Sequence, residues 1–256
     1  MEWSDDAIVL VARRHGESAA VVSLLTRERG RHAGLVRGGF GQRARGLYEP
    51  GNRVRAVWRA RLAEHLGHYA CELLDSHAAA LLDEPPRLAA LAAAAAVAEA
   101  ALPEREPHAR VYDRLRDLLA ALRAPGPDAA WQAAYVRWEI DLLADLGFGL
   151  DLAACAATGG TDALAFVSPK TGRAVSLAAG EPYRDRLLAL PAFLLDERAA
   201  RLGVASGGAR AADPAQIQAG LHLAGYFLDR HVFAHHAPPA RAPAARARLV
   251  ARLARG

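Results

Sequence analysis

Apolar and polar positions alternate along the first third of the chain, then give way to a helical rhythm. Residues 7–13 and 20–26 are short runs rich in Val, Ile and Leu, separated by the turn signal His15-Gly16-Glu17. Arg29-Gly30 marks a second turn, and residues 31–37 form a third run that leads into the glycine-rich connection Gly38-Gly39-Phe40-Gly41. Pro50-Gly51-Asn52 opens a fourth run, in which Val54 and Ala56 alternate with Arg53 and Arg55. Such alternation makes one strand face apolar and the other cationic. Trp58 reads as a break in that parity, either a bulge or an exposed aromatic. Residues 67–74 form a fifth run. Five short antiparallel strands predict a small barrel, with the OB-fold the commonest five-stranded choice.

After about residue 76 the texture changes. Glycine nearly disappears until Gly126, and alanine and leucine dominate. Pro85-Pro86 predicts a helix start, since proline is tolerated in the first turn, and the helix runs to about Ala101. Pro107 starts another, with Val111, Leu115, Leu118, Leu119 and Leu122 at helical spacing. Asp128 is read as the cap of a third, through Trp131, Tyr135, Trp138 and Leu142 to Gly147. Residues 150–180 are irregular. Two further helices are predicted over 183–195 and 214–236, the latter capped by Asp213. The arginine-bearing tail from Pro238 is read as helical or disordered. The fold class is therefore α+β, with a five-stranded barrel over 1–78, a helical domain over 79–256, and an irregular insert at about 151–180.

Charge sharpens this picture. The 256 residues carry a formal net charge of +4. Residues 27–61 alone hold ten arginines and two acids, Glu28 and Glu49, a local balance of +8. Like charges repel and destabilise a compact state, so a polyanionic partner is one explanation and a solvated basic face the other. Two cysteines, Cys71 and Cys155, cannot form a disulfide framework and point to a reducing compartment. The acidic start Met1-Glu2-Trp3-Ser4-Asp5-Asp6 lacks the features of a secretory signal. The alanine-rich run 88–102 contains Glu99 and falls short of the ~20 apolar residues of a membrane span. The expected location is cytoplasmic and nucleoid-associated, with no membrane partner.

Catalytic signatures are missing. The single lysine, Lys170, lacks the upstream glycine of a P-loop, and neither Gly-x-Ser-x-Gly nor His-Glu-x-x-His occurs. His231, His235 and His236 are read as a helix end bearing surface histidines, because too few further ligands complete a tetrahedral site. The chain is expected to be neither an enzyme nor the holder of a metal or cofactor.

Several segments together resemble the RecO family of bacterial recombination mediators. Residues 7–11, His15-Gly16-Glu17 and residues 22–30 are similar to the family's opening strands. Leu47-Tyr48-Glu49-Pro50-Gly51 resembles its step into the fourth strand, and residues 142–148 its helix end before a zinc-binding insert. The stretch around Cys155, through Gly159-Gly160 and Ser168-Pro169-Lys170-Thr171-Gly172, resembles that insert. The resemblance implies an OB-fold followed by a helical domain that binds single- and double-stranded DNA, anneals strands and works with RecR. It also implies contact with the tail of the single-stranded-DNA-binding protein and help for RecA loading. One departure is plain: Thr158, Ser176 and Ala179 stand where zinc-binding members have ligands. A degenerate, metal-free insert is expected, with Phe166 and Val167 as its hydrophobic anchors.

On this reading the DNA-binding candidates are Arg13, Arg14, Arg31, Arg37, Arg43, Arg45, Arg53, Arg55, Arg59 and Arg61. Tyr48 and Trp58 are candidates either for stacking on bases or for the core. Arg110, Arg114, Arg116 and Arg123 are candidates for binding a partner peptide, or are ordinary solvent-facing charge. An RNA-binding OB-protein remains the alternative reading.

Overall fold

A computed structural model describes residues 1–39, 41, 44, 46–195, 212–235 and 242–255, with the side chain of His235 excepted. It divides into two compact units, Met1–Ala124 with Pro243–Arg255, and Pro125–Ala242.

The first unit is built on strands β1 Glu2–His15, β2 Ala19–Thr26, β3 Gly30–Val36, β4 Arg53–Arg59 and β5 His68–Asp75. They close a barrel in the order β1-β2-β3-β5-β4. All neighbours are antiparallel except β3 and β5, which meet in parallel at Leu35 and His68. Five-stranded barrels of this kind include the OB-fold. Strand β1 begins five residues earlier than the hydrophobic pattern predicts. The reason is charge: Glu2 lies opposite Arg59 and Asp6 opposite Arg55 in the ladder with β4. An acidic start that looks like a poor strand is thus a matched edge for an arginine-rich one.

The barrel core contains Val9, Val22, Leu24, Val54, Ala56, Tyr48, Trp58 and Tyr69. Trp58 therefore does not break the β4 parity. It continues the inward set of Val54 and Ala56 and is 2% exposed. Neither it nor Tyr48, 7% exposed, is a platform for a base. Cys71 is half-buried against the same core.

Helices α1 His77–Ala80, α2 Pro85–Ala101 and α3 Ala109–Arg123 follow within the same unit. Helix α2 packs against β1 and against the helix Ala244–Leu253. Being covered on two sides, it has apolar residues all round rather than one stripe. The arginine-bearing tail is thus a packed helix, in which Leu249 is fully buried and Arg246 nearly so. No helix among the described residues is long and apolar enough to cross a membrane.

The second unit contains α4 Asp128–Asp145, the short strands β6 Leu164–Val167 and β7 Ala174–Ser176, and helix α5 Leu177–Gly180. A 3₁₀ turn over Glu181–Arg186, strand β8 Leu188–Ala189 and helix α6 Pro214–His231 complete it. Helices α4 and α6 pack closely, and a Cβ added at Gly220 of α6 would lie 2.8 Å from Val136. Asp213 caps α6 as expected, accepting the Gln216 amide at 2.8 Å. Asp128 does not cap α4. Pro127 takes that position, and Asp128 accepts the Trp131 indole N–H at 2.8 Å instead. The helix expected over 183–195 is absent as a single element. Leu188 and Ala189 pair with Val167 and Phe166, and Pro191 disfavours helical backbone in the residue before it.

Strands β6, β7 and β8 form a sheet in the order β7-β6-β8. Phe166 and Val167 are its buried anchors, and Cys155 packs with Phe166 and Val175. Among the described residues no group of three or more His, Cys, Asp or Glu is placed to hold a metal ion. The zinc-finger likeness of this segment therefore has no metal-binding group behind it.

Candidate nucleic-acid interface

The arginines of residues 27–61 are largely answered by acids from outside that stretch. Arg27 pairs with Asp113 at 3.0 Å, Arg59 with Glu2 at 2.8 Å, and Arg55 with Asp6 at 2.6 Å. Arg53 lies between Asp75 at 2.6 Å and Asp6 at 3.6 Å. The folded surface therefore carries less of the +8 balance than the local sequence suggests.

Glu99, at the end of α2, is the hub of the outer face of β1, β2 and β3. It accepts from Ser23 Oγ of β2 and pairs with Arg13 of β1 at 3.3 Å and Arg31 of β3 at 3.6 Å. Arg31 also donates to the Leu102 carbonyl at 2.7 Å and pairs with Glu104 at 3.3 Å. Its side chain is only 17% exposed. Beyond it the chain docks on β3: Arg105 N–H donates to the Arg31 carbonyl at 2.7 Å. A Cβ at Gly30 would collide with the Glu106 carbonyl, which is why that turn is glycine. The strand surface that OB-folds commonly offer to oligonucleotides is here engaged by the protein's own helix and the connection after it.

Four arginines of the barrel stay exposed with no carboxylate partner among the described residues: Arg14, Arg29, Arg37 and Arg61. Ladder partners step outward around the wall through Arg13, Val21, Leu35, His68 and Arg59. Arg14 lies opposite Ala20, which lies opposite Val36, and Arg37 follows directly. The loop bearing Arg61 joins this row at its far end, where the Leu35 amide donates to the Gly67 carbonyl at 3.0 Å, while its Ala63, Glu64 and His65 carbonyls are held by Arg105. Arg14, Arg37 and Arg61 are exposed, and no carboxylate pairs with them among the described residues. Arg14 donates to the Glu17 carbonyl at 2.8 Å. Arg13, Arg55 and Arg59 are exposed but each carries an acidic partner. Arg43 and Arg45 lie outside the described residues, as do His236 and Arg241.

A second feature of the barrel is aromatic. Trp3 stacks on Trp58 with centroids 5.7 Å apart, and both rings meet the edge of His32. These three line a cavity of about 520 Å³ together with Arg29 and Arg105. Arg105 holds the Ala63, Glu64 and His65 carbonyls at 2.6 to 3.2 Å. Burial and the nearby Arg105 push the His32 pKa down to about 4, so this ring is neutral at physiological pH. Tyr69 bonds to His32 Nδ1 at 3.0 Å.

The peptide candidates lie on α3, in the same compact unit as the barrel. Arg110 is exposed, Arg114 half-buried, and Arg116 pairs with Asp113 and Asp117. Arg123 lines a cavity of about 470 Å³ that it shares with Arg53, Asp75 and His77. In the second unit His231 is sandwiched between Phe148 and Phe227, at 5.0 and 5.9 Å, rather than displayed.

Sequence reasoning passes over Glu99, Arg105, Trp3 and His77. Glu99 alone left a local signal, as the one acid within an alanine-rich helix. The roles of the other three depend on residues far along the chain.

The chain matches two family models in succession, Recombination protein O N terminal over residues 1–77 and Recombination protein O C terminal over residues 82–237. It is 57% identical to the DNA repair protein RecO of Rhodospirillum centenum over 98% of this chain and 94% of that relative. The DNA repair protein RecO of Rhodospirillum rubrum is 52% identical over 100% of this chain and 97% of its own length. That of Methylobacterium nodulans is also 52% identical, over 91% of each. With both family models matched in order and such identity along nearly all of its length, the chain belongs to the RecO family.

Proposed function

We propose that this chain is a non-enzymatic DNA repair protein that binds single- and double-stranded DNA and anneals complementary strands. The observation that carries the reading is the set of barrel arginines Arg14, Arg37 and Arg61, each exposed and without a carboxylate partner among the described residues. Exposed guanidinium groups neutralise phosphates and release counterions without reading sequence, which is what annealing requires. Arginine planes also stack on unpaired bases. Arg13, Arg55 and Arg59 add to this cationic set once DNA phosphates compete with their acidic partners. Arg31, held by Glu99, Glu104 and the Leu102 carbonyl, acts instead as a strut of the fold. Family membership supports the wider setting, a mediator that works with RecR and the single-stranded-DNA-binding protein to help RecA load.

The test is single-stranded DNA affinity across a salt series, with an annealing assay on the same sample. Replacing Arg37 and Arg61 by Glu should weaken binding to all sequences alike and flatten the log K against log salt slope by about 2. The variant Arg31→Ala should change stability more than slope. Salt-insensitive wild-type binding with no annealing would overturn the reading. Preference for structured RNA over single-stranded DNA would favour an RNA-binding protein, and shortened DNA in magnesium or manganese would mark a nuclease.

A further inference from the structure

His77 opens α1 and is 5% exposed, yet neither of its ring nitrogens has a hydrogen-bond partner among the described residues. A buried imidazole with no partner is costly, and native proteins rarely keep one without a reason. The ring lines the cavity of about 470 Å³ together with Arg53, Arg116 and Arg123. Arg53 Nε is likewise buried and without a partner. Arg123 is exposed, and no carboxylate pairs with it among the described residues. Two acids, Asp75 and Asp117, complete the charged lining, and they are held by Arg53 and Arg116 respectively.

The geometry points to an oxyanion site in this cavity, one that seats a backbone phosphate of nucleic acid between Arg123, Arg53 and the His77 ring. The inference rests on the nucleic-acid reading above and extends the path of the strand from the barrel to α3. Both ring nitrogens are closed off from solvent as the ring stands, so a phosphate held by Arg123 would accept from His77 once the ring turns over about its Cβ–Cγ bond. Its charge would meet Arg123, the guanidinium of the lining that no carboxylate pairs with among the described residues. The alternative guest, an apolar peptide tail, needs an apolar slot. Here only Ala120 and Ala124 supply apolar lining.

Protonation of the ring follows from the same arrangement. Burial, then Arg123 and Arg53, lower the His77 pKa, while Asp75 raises it. The charged groups that share the cavity with the ring are Arg53 and Asp75 from the barrel and Arg116, Asp117 and Arg123 from α3. These influences together favour the neutral imidazole. A bound anion opposes the arginines and raises the ring's pKa.

The experiment is an NMR titration of the His77 ring in the full chain, assigned by the loss of its signal in His77→Gln. The probes are inorganic phosphate against chloride at equal ionic strength, a short oligothymidylate, and an acidic peptide with a free C-terminal carboxylate. Phosphate and oligonucleotide should both move the His77 signals saturably and shift its titration to higher pH. Arg123→Ala, a surface change that leaves the fold intact, should weaken phosphate binding about tenfold. No movement with either probe overturns the site. Movement with the peptide alone overturns it in favour of a peptide pocket. Oligonucleotide that binds elsewhere without touching His77 removes this site and leaves the proposed function standing. Phosphate that moves His77 in a protein that binds no DNA sinks the proposed function and leaves the anion site.

Discussion

The barrel and the small β6–β8 sheet are both short-stranded β-structures, and they are held by opposite means. The barrel's outer wall is cross-linked by charge, with Glu2, Asp6, Asp75, Glu99 and Asp113 each meeting an arginine distant in sequence. The small sheet has no such network across its strands among the described residues. It closes on Cys155, Phe166 and Val175, with the Ser176 amide donating to Cys155 Sγ at 3.3 Å. Hydrogen bonds from the Ser176 and Thr158 hydroxyls hold the Cys155 thiol down to about 6. The contrast teaches that an arginine-rich segment need not be a free cationic surface. Where the folded chain returns acids to it, only the unanswered arginines remain for a partner.

The largest effect expected from breaking this contrast is in the small sheet. Phe166→Ala should cost about 3 kcal/mol, the usual range for removing a buried ring. Hydrogen exchange should then quicken at Val167 and over Ala174–Ser176, while barrel amides keep their protection. Equal loss in both places would deny that the two sheets are separately held.

Next is the charge hub. Glu99→Ala leaves Ser23, Arg13 and Arg31 without a shared acceptor whose side chain is 12% exposed. A loss of about 2–3 kcal/mol in urea unfolding is expected, because removing one partner from a largely desolvated pair strands the others. A change under about 0.5 kcal/mol would mean the hub is no more than a surface pair.

The pH response of the barrel should be smaller. His32 has a folded pKa of about 4, below its ordinary value of 6.5. Its contribution is fully present above 6.5 and is lost as pH falls toward 4, by at most about 3 kcal/mol at the acid end and far less near pH 6. Unfolding midpoints for wild type and His32→Phe should converge as the medium becomes more acidic through that window. Parallel curves would remove His32 as the cause.

Smallest is the stability cost at the exposed barrel arginines. Arg61→Ala should change stability by less than about 0.5 kcal/mol, as isolated surface changes do, while still weakening DNA binding. A large stability loss would place Arg61 among the struts with Arg31.

The strands were legible from alternation, and the helices from apolar spacing and proline, because both signals are local. Val54 and Ala56 declared the inner face of β4, but Trp58, read as a break in that alternation, is buried with them. Asp213 declared the start of α6. The stretch around Leu188 was misread because two residues of pairing with β6 outweigh a helical pattern. The candidate interface was legible only as a list of arginines. Nothing near Arg31 or Arg53 in sequence says that Glu99 and Asp75 will hold them, since side-chain pairing acts through space over a few ångströms.

The sequence by itself determined the barrel, the helix-rich remainder and the family, because hydrophobic period, turn residues and ordered motifs survive without coordinates. Only the tertiary structure decided which arginines face outward unanswered, that α2 engages the outer face of β1, β2 and β3, and that His77 shares a cavity with Arg53 and Arg123. Each of those facts is a meeting of residues far apart in the chain, and such meetings are settled by chain closure and packing rather than by any local pattern.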